Sequence, residues 1–268
     1  MTKLNKSKLR DYEKFGFVII KNLVPKKKLA EIIQSVLINT KKYTKLSNLK
    51  TNENLDDLLL NLRKKNKSNF GLLFDSMQTL GKIYQVFMDD KTLEYVSKVL
   101  RVKKNLITFT DPALRLDPPN DYRNNLGWHQ DSSYCRQNID GNKGSVLWLP
   151  LRNLPKNMGR LQFIKSSHKI GTLNRKKIRS KKFSSQQRLI PENLISKYNE
   201  IMEVDLKLGD ALLMNLNLIH RSGQNISKRF RLSIIGRYHN MISNDFKSGL
   251  TIYKYSDKKY NKKAHESS

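Results

Sequence analysis

One cysteine, Cys135, is all that the sequence holds. An intramolecular disulfide is therefore excluded, and so is a zinc site built from several thiolates. Acidic residues are scarce as well, with 23 against 52 lysines and arginines and a formal charge of +29. Long apolar runs are missing. The most hydrophobic stretch, Ala211-Leu-Leu-Met-Asn-Leu-Asn-Leu-Ile219, is short and broken by two asparagines, too little for a membrane span. The opening Met1-Thr-Lys-Leu-Asn-Lys-Ser-Lys8 has charge but no apolar segment behind it to serve as a secretion signal. A soluble cytoplasmic protein with no membrane partner is expected.

The positive charge invites a nucleic-acid reading, which its distribution opposes. Lysines run from Lys3 to Lys263 among abundant Asn, Ile and Ser, a mixture typical of an AT-rich coding sequence. The densest clusters, Lys26-Lys-Lys28 and residues 174–182, have no interleaved aromatics on which bases could stack. No nucleic-acid partner is expected. The charge hints instead at an anionic small-molecule substrate.

What the chain does have is a change of texture near Asn105. Before it, Phe15-Gly-Phe-Val-Ile-Ile-Lys21 has the β-branched and aromatic content of a short strand. Leu29, Ile32, Ile33, Val36 and Leu37 then trace the apolar stripe of a helix. Residues 41–54 are polar and predict a loop, and helical patterns resume at 55–62, 72–87 and 91–100. After Asn105 come short strand patterns at 106–110, 113–116, 145–151, 161–164, 204–208, 211–214 and 230–238, separated by turn residues. Many short strands after a helical segment predict a mainly β fold, a sandwich or barrel with helices packed on one sheet. Residues 171–200 interrupt the strands with a basic, partly helical insertion. One domain over residues 1–253 is expected, with 254–268 a flexible basic tail.

Chemistry enters at Gly127-Trp-His-Gln-Asp-Ser-Ser-Tyr134. Side chains two apart on an extended backbone project to the same face, so His129 and Asp131 can converge on one ion. A His-x-Asp pair alone is a weak signal, since chance supplies one readily. His220 strengthens it by lying just after an apolar strand, where it can reach a site in a barrel mouth. Two imidazoles and one carboxylate leave coordination positions open, as iron(II) oxygen chemistry needs. Catalytic zinc uses the same donors, so the triad does not by itself name the metal.

Arg231 stands eleven residues beyond His220, early in a strand whose alternation puts Arg231, Ser233, Ile235 and Arg237 on one face. A guanidinium pointing into a barrel needs an anionic partner. The far carboxylate of a dicarboxylate chelating the metal would supply one. An internal acid would serve equally well. Arg229 shares the parity, so charge and alternation leave the choice of arginine open.

In combination these motifs resemble the phytanoyl-CoA dioxygenase family of iron(II)/2-oxoglutarate oxygenases. The resemblance runs through residues 12–24, Trp128-His-Gln-Asp131, Val146-Leu-Trp-Leu-Pro-Leu151, Met158-Gly-Arg-Leu-Gln-Phe-Ile-Lys-Ser-Ser-His168, Leu208-Gly-Asp210 and His220-Arg-Ser-Gly-Gln-Asn-Ile-Ser227, then Arg231. Ser166 replaces the usual glycine of the Gly-Ser-His turn. The resemblance implies a double-stranded β-helix, a cupin-like jelly-roll barrel buttressed by N-terminal helices. It implies iron(II) on His129, Asp131 and His220, and 2-oxoglutarate held by Arg231, rather than Arg229, with help from Ser222. Trp148 matches a position packed near the cosubstrate. The activity implied is that of an O2-consuming dioxygenase that hydroxylates an unactivated C–H bond of a small metabolite and releases succinate and CO2. Desaturation, ring formation and bond cleavage are the alternative outcomes. Related halogenases carry a small residue where this chain has Asp131, which favours hydroxylation over halogenation.

The other candidates have plainer expectations. His168, His239 and His265 are expected in structural or surface roles, and Cys135 as a packed thiol. Gln130, Tyr134, Arg115 and Arg237 could touch substrate but are expected to be structural.

Overall fold

The computed structural model describes residues 6–44, 54–121, 126–135, 137–138, 142–173, 176–178, 187–198 and 200–247. The expected basic tail lies outside them, as do His265 and most of the loop expected at 41–54. Helix α1 (Lys6–Phe15), which the apolar pattern does not announce, turns at Gly16 into strand β1 (Phe17–Ile20). Helix α2 (Lys26–Thr44) buries Leu29, Ile32 and Val36 and runs through Thr44, past the expected end. Helices α3 (Leu55–Lys65), α4 (Lys67–Met77), α5 (Gly81–Phe87) and α6 (Asp90–Leu100) follow. None of the described helices is long and apolar enough to cross a membrane.

The single helical pattern expected over 72–87 is two helices. The Gln78 amide explains the break, because it donates to the carbonyl of Leu114 and accepts from the Leu114 amide. A side chain committed to a neighbouring strand fastens α4 there, and the chain restarts as α5 at Gly81.

Strands β1, β2 (Ile107–Asp117), β3 (Gly144–Pro150), β8 (Ala211–Asn215) and β10 (Arg231–Asn240) form an antiparallel sheet in the order β1-β8-β3-β10-β2. Strands β4 (Leu161–Ile164), β7 (Ile201–Glu203) and β9 (His220–Ser222) form a smaller antiparallel sheet in the order β7-β4-β9. Period-two alternation explains how the layers assemble. From β3, Val146 and Trp148 join Leu212 and Met214 of β8 against Leu161 and Phe163 of the small sheet. The intervening Leu147, Leu149 and Leu213, with Leu232 and Ile234 of β10, pack against the helices. Strand β3 is thus buried along its whole length. The result is the expected double-stranded β-helix with helices on the larger sheet.

Two strand expectations change. The patterns at 106–110 and 113–116 are one strand, β2, kinked where Asp111 takes φ 51° and the register with β10 shifts between Ile235 and Arg237. Pro112 has no N–H to give a ladder, so a bulge is where it fits. The strand expected at 204–208 is absent; β7 precedes it. Val204 and Leu206 still insert into the inter-sheet core, but the chain then turns, with the amide of Asp210 donating to the carbonyl of Lys207. Within the insertion, the described residues form strands β5 (Lys176–Ile178) and β6 (Gln187–Leu189), paired as a hairpin, and the short helix α7 (Glu192–Ile195).

Candidate metal centre

His129 and His220 face each other across an isolated antiparallel bridge, each amide donating to the other's carbonyl at 2.9 and 3.0 Å. This bridge fixes both backbones before any ligand arrives. Gln130 is extended (φ −117°, ψ 137°), which turns Asp131 to the same side as His129, as the spacing predicts. One atom from each of His129, Asp131 and His220 falls within 4.8 Å of the others, and all three residues are buried.

Hydrogen bonding sets the tautomers. His129 Nδ1 lies 2.7 Å from the Gly127 carbonyl and His220 Nδ1 lies 2.9 Å from the Leu218 carbonyl. A carbonyl only accepts, so both Nδ1 atoms carry a proton, which leaves Nε2 of each ring as the nitrogen that can offer a lone pair to a metal. Burial, then the neighbouring His220, lowers the His129 pKa to about 3. Burial opposes ionisation of Asp131, but Arg237 and the two imidazoles outweigh it and hold its pKa at about 2. Asp131 Oδ2 is buried with no hydrogen-bond partner, 3.4 Å from His220 Nε2. A cation seated between these atoms would satisfy both of them. The donor set therefore fits a divalent metal that accepts two nitrogens and one oxygen.

The triad opens on a cavity of about 130 Å³ that also meets Trp148, Ser222, Arg231, Ser233, Ile235 and Arg237. The inward face of β10 is the one that alternation predicts. Phe230, Leu232, Ile234 and Tyr238 point the other way, into the helix-side core. Arg229 leaves the site to pair with the buried Asp56 at 2.8 Å, beside Arg152. Arg231 remains, 4% exposed. Its Nη2 donates to Ser222 Oγ at 3.1 Å, its Nη1 to the carbonyl of Gly159, and its Nε and Nη2 to Asp117 Oδ2 at 3.0 and 2.8 Å. Gly159 has φ +75°, and a Cβ there would meet the Gly223 carbonyl at 2.4 Å, so glycine lets these two backbone segments pack closely.

Asp117 carries no motif signal, and only folding shows that it reaches the cavity beside Arg115 and Arg231. Gln130 turns away from the site. It donates to the carbonyls of Gly171 and Asn217 and accepts from the Leu173 amide. Tyr134 sets its ring edge-on to His129 and accepts from the Arg188 amide, while the Arg188 guanidinium donates to the Ser133 carbonyl. The start of the insertion and its second strand are therefore fastened to the loop that carries His129 and Asp131. His168 packs against Gly16 with Nε2 3.1 Å from the Glu13 carbonyl, and His239 is buried framework. Cys135 is buried, which pushes its thiol up to about 12.

The family model for phytanoyl-CoA dioxygenase matches residues 12–233. The chain belongs to the phytanoyl-CoA dioxygenase family. Solved structures with the same fold include the non-heme alpha ketoglutarate dependent epimerase SnoN from nogalamycin biosynthesis. It is 12% identical with a TM-score of 0.59, over 92% of this chain and 86% of that one. The non-heme monooxygenase ThoJ is 14% identical with a TM-score of 0.60, covering 87% of this chain and 77% of that one. EvdO2 from Micromonospora carbonacea var. aurantiaca, solved with 2-oxoglutarate, is 14% identical with a TM-score of 0.57, over 89% and 92%. No curated protein sequence matches the chain. At these identities the structural likeness speaks for the fold alone.

Proposed function

We propose that this member of the phytanoyl-CoA dioxygenase family is an iron(II)- and 2-oxoglutarate-dependent dioxygenase that hydroxylates an unactivated C–H bond of a small metabolite. Succinate and CO2 would be the coproducts, and residues up to 253 one catalytic unit. The observation that carries this reading is the orphaned Oδ2 of Asp131, facing the imidazoles of His129 and His220 in a cavity that also holds Arg231. His129, Asp131 and His220 are the proposed iron ligands. Arg231 and Ser222 are proposed to receive the far carboxylate of 2-oxoglutarate, with Trp148 packed alongside. The bound iron would supply the activation of O2 that no side chain can perform.

The chain's own residues supply position and dryness. Gly127 and Leu218 fix the imidazole tautomers through their carbonyls. Arg237 keeps Asp131 ionised, and Trp148, Leu161 and Met214 line the cavity with apolar surface. The retained carboxylate of Asp131 supports hydroxylation over halogenation. The substrate proposed is a small molecule, with the cationic Arg115 and Arg237 at the cavity favouring an anionic one.

Anaerobic addition of iron(II) and then 2-oxoglutarate tests the reading. A visible charge-transfer band is expected, along with succinate formation once a substrate and O2 are present. Folded protein that binds iron but shows no such band on adding 2-oxoglutarate would sink it. The alternative outcome is hydrogen removal without oxygen insertion. Product mass separates the two, since only hydroxylation adds an oxygen atom.

A further inference from the structure

Arg231 is already occupied. A guanidinium has five N–H groups, and four hydrogen bonds from Arg231 already end on Asp117, Gly159 and Ser222. Two of those four go to one oxygen of Asp117. A keto acid's far carboxylate seeking bidentate contact with Arg231 meets a carboxylate already there, in a site where both are buried.

Asp117 has a second cation to hold. Its Oδ1 accepts from Arg115 Nη2 at 2.9 Å, while its Oδ2 serves Arg231. Burial opposes its charge, but Arg115 and Arg231 outweigh burial and keep the carboxyl below the usual aspartate range. The three side chains sum to one positive charge, so the addition of one carboxylate makes the cluster neutral. Arg115 is part-exposed at the cavity wall, whereas Arg231 is enclosed.

We infer that Asp117 is a positioning residue that competes with the cosubstrate for Arg231, holding the guanidinium in place before binding and yielding it to the keto acid's far carboxylate while keeping Arg115. This rests on the 2-oxoglutarate reading above. The internal partner spares Arg231 an unpaired buried charge in the empty protein. It also weakens 2-oxoglutarate binding, because each hydrogen bond given to the ligand is one taken from Asp117. Asp117 therefore sets the cosubstrate affinity below what Arg231 alone would give.

The test is an anaerobic titration of the iron-loaded, full-length protein with 2-oxoglutarate, read by the charge-transfer band and, with manganese(II) in place of iron, by the ligand-induced rise in melting temperature. Asp117→Asn keeps the shape and an acceptor oxygen but removes the competing charge. It is expected to bind 2-oxoglutarate about tenfold more tightly than the wild type, with a lower melting temperature in the ligand-free state. The double variant Arg115→Gln/Asp117→Asn removes one charge of each sign, so it tests the same point if the single variant folds poorly. It too is expected to bind more tightly than the wild type. Unchanged or weaker binding in a folded variant overturns the inference, because Asp117 would then be helping the ligand. If the wild type itself binds no 2-oxoglutarate, the fault lies in the functional reading. If the wild type binds and the variants do not tighten, only the role of Asp117 is wrong.

Discussion

Arg237 donates from Nε at 3.1 Å and Nη2 at 2.5 Å to the same oxygen of Asp131, leaving the other oxygen of that carboxylate without a partner. The guanidinium is thus a clamp that selects which oxygen faces the two imidazoles. Its own elements explain its aim. Arg237 lies just past the bulge in β2, and Gly236 before it has no side chain to collide with the ring of Phe109. Asp131 in turn sits at the start of a short turn, where its carbonyl accepts from the amides of Tyr134 and Cys135.

Removing the clamp should loosen the metal without removing a ligand. Arg237→Gln takes away the charge that keeps Asp131 ionised and frees its carboxylate to rotate. Groups that orient metal ligands typically change affinity about 10–100-fold, and a loss in that range is expected for iron(II) or manganese(II). Anaerobic titration followed by metal analysis reads it directly. Arg237→Lys restores the charge but not the fork and should recover only part of the affinity. Wild-type affinity in Arg237→Gln would show that the turn alone orients Asp131.

The inward face of β10 was legible in the sequence because alternation is local: Arg231, Ser233, Ile235 and Arg237 all reach the cavity. The same holds for the His129 and Asp131 pair, set by one extended residue between them. What alternation could not assign was the partner of each charge. Arg229 and Arg231 share a face, and only the position of α3 brings Asp56 to the first and leaves Asp117 to the second. Asp117 and Arg188 stayed hidden for the same reason, since their contacts join segments far apart in the chain. The helical pattern over 72–87 was equally blind to Gln78, whose partner Leu114 lies 36 residues away.

Gln130 lies between two of the proposed metal ligands yet spends its amide elsewhere, bonding to Gly171 and Leu173 of the insertion and to Asn217. Gln130→Ala removes these three bonds, of which the one to the Asn217 carbonyl is buried and costs about 1–3 kcal/mol where water cannot replace it. The amide of Leu173 should exchange hydrogen faster in the variant, and proteolysis near residues 171–173 should speed up. Metal affinity should fall much less than in Arg237→Gln, because the histidine tautomers are set by Gly127 and Leu218. Hydrogen exchange measured residue by residue checks the first point. Unchanged exchange at Leu173 would mean that other contacts hold the insertion in place.

His239 gives the fold a pH dependence whose sign follows from its wiring. Its Nδ1 donates to Asn138 Oδ1 at 2.9 Å, and its Nε2 meets the Thr110 hydroxyl at 3.0 Å. Burial, then Arg237 nearby, lowers its pKa to about 4 from the ordinary 6.5. Between those values the unfolded chain binds a proton that the folded one refuses. Stability is therefore fully present above pH 6.5 and declines as the pH falls toward 4. The slope from this one group is at most about 1.4 kcal/mol per pH unit. Urea unfolding at pH 7, 6 and 5 should show the decline, and His239→Gln, which keeps a donor and an acceptor, should make it shallower. A variant with the wild-type slope would place the proton uptake on another group.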